Sequence, residues 1–192
     1  MIISTIKKID KGYEVSIDEK TYLLDEETII KYRLYSGKEI REEEVELFIK
    51  DSGIEQIKKK ALAYQMRYLK SSRETMEYLI KKEIDASLAQ EAISSLIEQG
   101  LIRDIQLAGA MAASYARGSN GPRMIRQKLI LHQFSENVIE TALKNISKED
   151  IEEGKEKLLK KSQKKLVKYS DFEKRQRLKQ IFYQRGYFSM ED

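Results

Sequence analysis

A mainly α protein is what this sequence predicts: tandem three-helix repeats, elongated and curved, preceded by a small β-hairpin or meander plus helix. Three observations predict it. Charged residues make up 35% of the chain and hydrophobic ones 41%, with a single proline and no tryptophan, a composition that favours helices. From about residue 54 onward the apolar residues fall at helical spacing. The same order of caps, breaks and apolar positions then recurs at an offset of about fifty residues, the mark of a repeat architecture.

The N-terminal segment reads differently. Ile2 to Ile9 is rich in β-branched residues and ends at Asp10-Lys11-Gly12; Tyr13, Val15 and Ile17 then alternate with Glu14 and Ser16, as in a strand with one buried face. Asp18-Glu19-Lys20 reads as a turn and Thr21 to Leu24 as a third short strand. Asp25 can cap a short helix carrying Ile29, Ile30 and Leu34 and closed by Gly37. Residues 1–50 are therefore expected to be a small β region with one or two helices, packed on a neighbour because an isolated hairpin is marginal.

After Gly53, a helix over roughly 54–70 presents Ile54, Ile57, Ala61, Leu62, Tyr64 and Leu69. Ser71 and Glu74 fit a capping box for the next helix, which carries Met76, Leu79 and Ile80. Another helix turns Leu88, Ala92, Ile93, Leu96 and Ile97 inward and stops at Gly100. The stretch from Ile102 to about Arg117 places Ile105, Ala108, Met111, Ala112 and Tyr115 in register. Gly118-Ser119-Asn120-Gly121-Pro122 is the clearest break, and Pro122 suits the first turn of the helix beyond it.

Arg73, Leu79, Ile84, Ala92 and Ile93 recur as Arg123, Leu129, Phe134, Ala142 and Leu143, and more faintly Leu178, Phe182 and Tyr187 repeat Ile125, Leu129 and Phe134. The repeats are expected at 54–100, 101–147 and 148–192, the last with its final helix missing or very short, and with longer opening helices at roughly 54–70, 103–117 and 149–169. One such unit leaves apolar surface exposed, which stacking buries.

No feature points to catalysis. There is no cysteine, so disulfides and thiolate metal sites are excluded. His132 stands alone and reads as a surface or helix-end residue, Asp104 as a cap or pairing residue at a helix start. Glu42-Glu43-Glu44 and Glu152-Glu153 suit solvated helix starts. The loop from Gly118 to Gly121 lacks the Gly-Lys-Ser/Thr ending of a phosphate-binding loop. No catalytic, cofactor or metal site is expected. No apolar run approaches the roughly 18 residues of a membrane span, and no signal peptide is visible, so the expectation is a cytoplasmic protein without membrane contact.

The basic residues are more informative. Net charge is +4, from 36 Lys and Arg against 32 Asp and Glu, so the surface is mixed with local patches. Lys157, Lys160, Lys161, Lys164, Lys165 and Lys168 are spaced by threes and fours opposite Leu158, Leu159 and Leu166. Arg117, Arg123, Arg126 and Lys128 cluster around the second repeat's loop, and Lys70, Arg73, Lys81 and Lys82 around the first repeat's. Each lysine alone reads as solubilising surface. Recurrence at equivalent places, as at Arg73 and Arg123, suggests a charged stripe able to meet acidic protein or nucleic-acid phosphates.

Four segments stand in a telling order: Ala61-Leu62-Ala63-Tyr64 with Lys70-Ser71-Ser72-Arg73-Glu74, Leu101-Ile102-Arg103-Asp104-Ile105-Gln106-Leu107-Ala108, Gly121-Pro122-Arg123-Met124-Ile125 with Leu129, and Arg185-Gly186-Tyr187. Together they resemble the RecX family of RecA-regulating proteins over nearly the full length. The N-terminal strands and Asp25 to Gly37 are similar to the extension of Gram-positive members. The chain departs from the pattern at His132-Gln133, where Lys-Gly is usual, around Tyr68 and Lys70, where an arginine pair is usual, and in stopping at Asp192. The resemblance implies a non-enzymatic, monomeric regulator that binds the RecA recombinase filament, and single- or double-stranded DNA with it. It would mostly inhibit recombinase, ATPase and coprotease activities in DNA repair and the SOS response. A direct DNA-binding module of helix-turn-helix type is the alternative. The partner-binding candidates are Lys70, Arg73, Lys81, Lys82, Arg117, Arg123, Arg126, Lys128, Lys157, Lys160, Lys161, Lys164 and Lys168.

Overall fold

The structure, a computed structural model, describes residues 1–187. The final helix of the third repeat would fall at 188–192 and lies outside the described residues. The chain divides into two compact units, Met1–Tyr68 with Thr75–Ile102, and Leu69–Glu74 with Arg103 onward.

The first unit opens with a three-stranded antiparallel sheet in the order β1 (Ile3–Ile9), β2 (Gly12–Ile17), β3 (Lys20–Leu24). Ile6 pairs with Val15 and Val15 with Tyr22, so the expected alternation sets one face inward. Ile3, Val15, Ile17 and Leu24 are buried there with Leu34, Ile40, Val45 and Phe48. Asp25 caps α1 (Glu26–Lys31) by accepting the Glu27 N–H at 2.8 Å. Leu34 lies past that helix rather than in it.

Helix α2 (Glu42–Tyr68) begins well before the residue 54 that periodicity suggests, and passes through Gly53 without a break. A helical glycine costs about 1 kcal/mol, too little to stop a helix that is packed on both sides of it. Val45 and Phe48 pack under the sheet, while Ile54, Ile57 and Ala61 join a second core with Leu79 of α3 (Ser72–Lys81) and Ala89, Ala92, Ile93 and Leu96 of α4 (Ala86–Glu98). Both halves of the capping box form: the Glu74 N–H donates to Ser71 Oγ and the Ser71 N–H to Glu74 Oε2, each at 3.1 Å. Leu69 and Ile97 are exposed instead of inward, and Ile80 of α3 is exposed as well.

The second unit holds α5 (Asp104–Arg117), α6 (Pro122–Leu131), α7 (Glu136–Lys144), α8 (Lys148–Leu166) and α9 (Asp171–Gln184). Pro122 occupies the first turn of α6 as expected. The buried ridge of α5 is Ala108, Ala112 and Ala116, and Ile105 points out. Small side chains at every fourth position let α8 approach closely. Gly154 of α8 is seated so tightly on Ala116 that a Cβ there would fall inside van der Waals contact with the Ala116 carbonyl oxygen.

Helices α3, α6 and α9 end in the same turn. Ile84 N–H donates to Leu79 O, Phe134 N–H to Leu129 O and Tyr187 N–H to Phe182 O, at 3.3, 3.4 and 3.0 Å. In each, the preceding residue has positive φ: Glu83 at 61°, Gln133 at 56° and Gly186 at 89°. This is a Schellman cap with its apolar contact, set three times at the aligned positions. The three anchors, Leu79, Leu129 and Phe182, are all buried.

Candidate interaction surface

The fold separates the thirteen candidate cations by what each already touches. Arg126 of α6 forks onto two carboxylates of α7, Glu136 and Glu140, the latter at 2.5 Å, which holds Glu140 below the usual carboxylate range. Arg117 at the end of α5 pairs with Asp150 of α8 at 2.8 Å. Arg123 donates to the Tyr183 carbonyl at 2.5 Å and stacks over the Tyr183 ring at 4.2 Å, joining the start of α6 to the end of α9. Lys70 pairs with Glu74 at 2.7 Å. Lys128 lies over the Tyr115 ring at 5.0 Å and Lys82 over Tyr78 at 5.9 Å.

Helix α8 divides its own lysines. Lys157 and Lys160 pair with Glu153 and Glu156 one turn back, at 2.5 and 3.3 Å. Lys161, Lys164, Lys165 and Lys168 are exposed, and among the described residues no carboxylate lies within 4 Å of them. Lys168 lies over the neighbouring Tyr169 ring at 5.5 Å, one residue beyond the C-cap Val167. Arg73 and Lys81 are exposed too, with no carboxylate within 4 Å among the described residues.

Asp104 sits at a helix start, as its spacing suggests. It accepts the Ser72 N–H at 2.9 Å and the Ser72 hydroxyl at 2.6 Å, so it serves the N-terminus of α3 as well as its own helix. His132, the C-cap residue of α6, has two partners that spacing does not reveal: Glu74 at 3.2 Å from Nδ1 and the Tyr115 hydroxyl at 3.2 Å from Nε2. Burial pushes the Glu74 carboxyl up, but Lys70, the Ser71 amide and His132 outweigh it and hold Glu74 below the usual range.

The first unit also has a cleft of about 550 Å³ between α1, α2 and α4. Lys31 pairs with Asp51 at 2.5 Å and Lys58 with Glu55 at 2.7 Å, while Glu27 shares a hydrogen bond with the Glu55 carboxylate that pushes its own carboxyl above the usual range; the lining also includes Ile54 and Leu96. Among the described residues no group of three or more His, Asp or Glu side chains is placed to hold a metal ion. One cluster is not visible in the apolar pattern, where Tyr64 counts only toward the apolar face. Tyr64 and Tyr68 of α2 meet Tyr78 of α3, beside Arg67 and Lys82. The available signal was Lys60, Tyr64 and Tyr68 at intervals of four, which puts all three on one helix face.

No protein-family profile matches the chain. The regulatory protein RecX of Lactococcus lactis subsp. cremoris (strain SK11) is 32% identical over 153 residues, covering 77% of this chain and 57% of that protein. The protein of the same name from Bacillus cytotoxicus is 26% identical over 180 residues, 93% of this chain and 66% of its own length, and that from Oceanobacillus iheyensis 27% over 194 residues, 97% and 71%. The chain thus spans a little over half of the Lactococcus relative's length. In fold it is similar to a crystal structure of regulatory protein RecX, with TM-score 0.74 and 24% identity over 99% of this chain and 95% of that one. RecX from Lactobacillus salivarius aligns with TM-score 0.63 over 70% of this chain and 88% of its own.

Proposed function

This chain belongs to the RecX family, and on that premise we propose that it is a non-enzymatic regulator that binds the RecA filament and mostly inhibits its recombinase, ATPase and coprotease activities. The observation that carries the reading is the set of exposed cations at the C-terminal end of α8 and just beyond it, Lys161, Lys164, Lys165 and Lys168, which meet no carboxylate among the described residues. Charges of one sign along one helix face suit a long acidic partner, and repeated weak contacts with such a lattice add through avidity. Arg73 and Lys81 supply further contacts of the same kind. We take 54–100, 101–147 and 148–192 as the successive repeat units, of which the first and third carry these contacts, and a cytoplasmic monomer as the working form. No helix among the described residues is long and apolar enough to cross a membrane.

The test is RecA's DNA-dependent ATPase and strand exchange with purified protein titrated to saturation. The proposal expects both to fall. Unchanged rates at saturation would overturn it.

A further inference from the structure

The cleft between α1, α2 and α4 of the first unit holds one carboxyl group that has no cation of its own. The other carboxylates in or beside it each have an ammonium. Asp51 has Lys31 at 2.5 Å, Glu55 has Lys58 at 2.7 Å, Glu91 has Lys50 at 3.2 Å, and Asp25 has Lys59. Glu27 of α1 lines the cleft and is exposed, yet among the described residues no Lys or Arg nitrogen lies within 4 Å of its carboxyl. Its neighbour is a second carboxyl instead. The hydrogen bond it shares with Glu55, then burial, then the charges of Glu55 and Asp25 push Glu27 above the usual carboxylate range, against the opposing pull of Lys59.

A hydrogen bond between two carboxyl groups requires a proton on one of them, so the pair presents to the cleft a position that suits a cationic donor. Thr28 marks the same place independently. It lines the cleft, is 1% exposed, and its hydroxyl has no hydrogen-bond partner among the described residues. Buried hydroxyls are nearly always bonded, so an unpartnered one beside a cleft points to a ligand. An ammonium has three N–H donors, and the two carboxyls and this hydroxyl supply three acceptors. Ile54, Leu62, Leu96 and Leu101 give the rest of the lining an apolar character that suits methylene groups. We propose that this cleft binds a primary ammonium on an aliphatic stem, as in a linear diamine, with the ammonium between Glu27 and Glu55 and donating to the Thr28 hydroxyl. The site shares no residue with the cations of α8 and stands whether or not the chain regulates RecA.

The probe is 1,4-diaminobutane, titrated into the full chain by calorimetry without RecA, with tetramethylammonium alongside as a cation that cannot donate a hydrogen bond. The diamine should bind and tetramethylammonium should not. The ammonium needs Glu27 ionised, so affinity should fall roughly tenfold between about pH 7.5 and about pH 4.5, as protons compete for the raised carboxyl. Glu27→Gln should weaken binding at neutral pH roughly tenfold and flatten that pH dependence. Thr28→Val, which keeps the shape and removes the hydroxyl, should weaken it about fivefold. Neither variant should lower the melting temperature, since Glu27 is exposed and the Thr28 hydroxyl has no partner to lose. No binding of the diamine up to about 10 mM, equal binding of tetramethylammonium, or parent-like affinity in either variant would overturn the proposal. Because RecA is absent, each of these results leaves the regulator reading untouched.

Discussion

Helices α6 and α8 both carry several cations, yet the fold uses those cations in opposite ways. On α6 the side chains of Arg123 and Arg126 reach back to the same unit, one to a carbonyl and an aromatic ring of α9, the other to two carboxylates of α7. On α8 the lysines from Lys161 onward reach no carboxylate among the described residues. Residue type accounts for part of the contrast. The guanidinium is a planar fork that binds two acceptors at once, whereas the ammonium is a strongly hydrated point charge on a flexible stem. Counting cations along a sequence therefore overstates how many are available to a partner, and the arginines are overcounted most.

The firmest way to break the comparison is to unseat α8 itself. Gly154→Ala should gain about 1 kcal/mol of helix propensity, but its Cβ meets the Ala116 carbonyl oxygen. We expect a net loss of about 3 kcal/mol in urea unfolding, since backbone has to move. Next in size is Gln133→Gly, placed at the turn that ends α6. Gln133 holds a φ of 56°, which costs a residue with a Cβ about 1 kcal/mol, so glycine should stabilise the protein by roughly that amount. The same change cannot be run in reverse at Gly186, where a Cβ would lie 2.5 Å from the Met124 amide nitrogen. The aligned turns share a backbone conformation, and only the third is pressed so closely that glycine is required.

Charge reversal sharpens the contrast directly. Arg126→Glu should lower the melting temperature by roughly 3 °C, because it faces Glu136 and Glu140, while Lys164→Glu should change it by about 1 °C or less. The smallest effect is a pH dependence. Glu74 has its folded-state pKa held below the ordinary 4.5, so its contribution is present above that value and is lost as pH falls through the folded-state value. Glu74→Gln should lower the melting temperature at neutral pH and flatten its decline below about pH 4.5.

Local features were legible in the sequence. The Ser71–Glu74 capping box, the Asp25 cap, Pro122 at the start of α6 and the three strands need only a few adjacent residues to specify them. Errors arose where tertiary packing decides. Gly53 reads as a break until Val45 and Phe48 are seen under the sheet. Ile80, Ile97 and Ile105 fit the helical period, but period alone does not tell which ridge meets a neighbour. At the candidate surface, the cations could be named but not their partners. Ser72 finds Asp104 across 32 positions and His132 finds Glu74 across 58, distances at which a single sequence carries no pairing signal.

The central claim, that the lysines without a carboxylate partner at the C-terminal end of α8 and just beyond it are the ones a partner meets, is tested most directly by binding to RecA filaments assembled on single-stranded DNA. The triple variant Lys161→Glu, Lys164→Glu, Lys168→Glu should bind at least roughly tenfold more weakly than the parent, with its melting temperature unchanged. A folded triple variant that binds the filament as tightly as the parent would contradict the account.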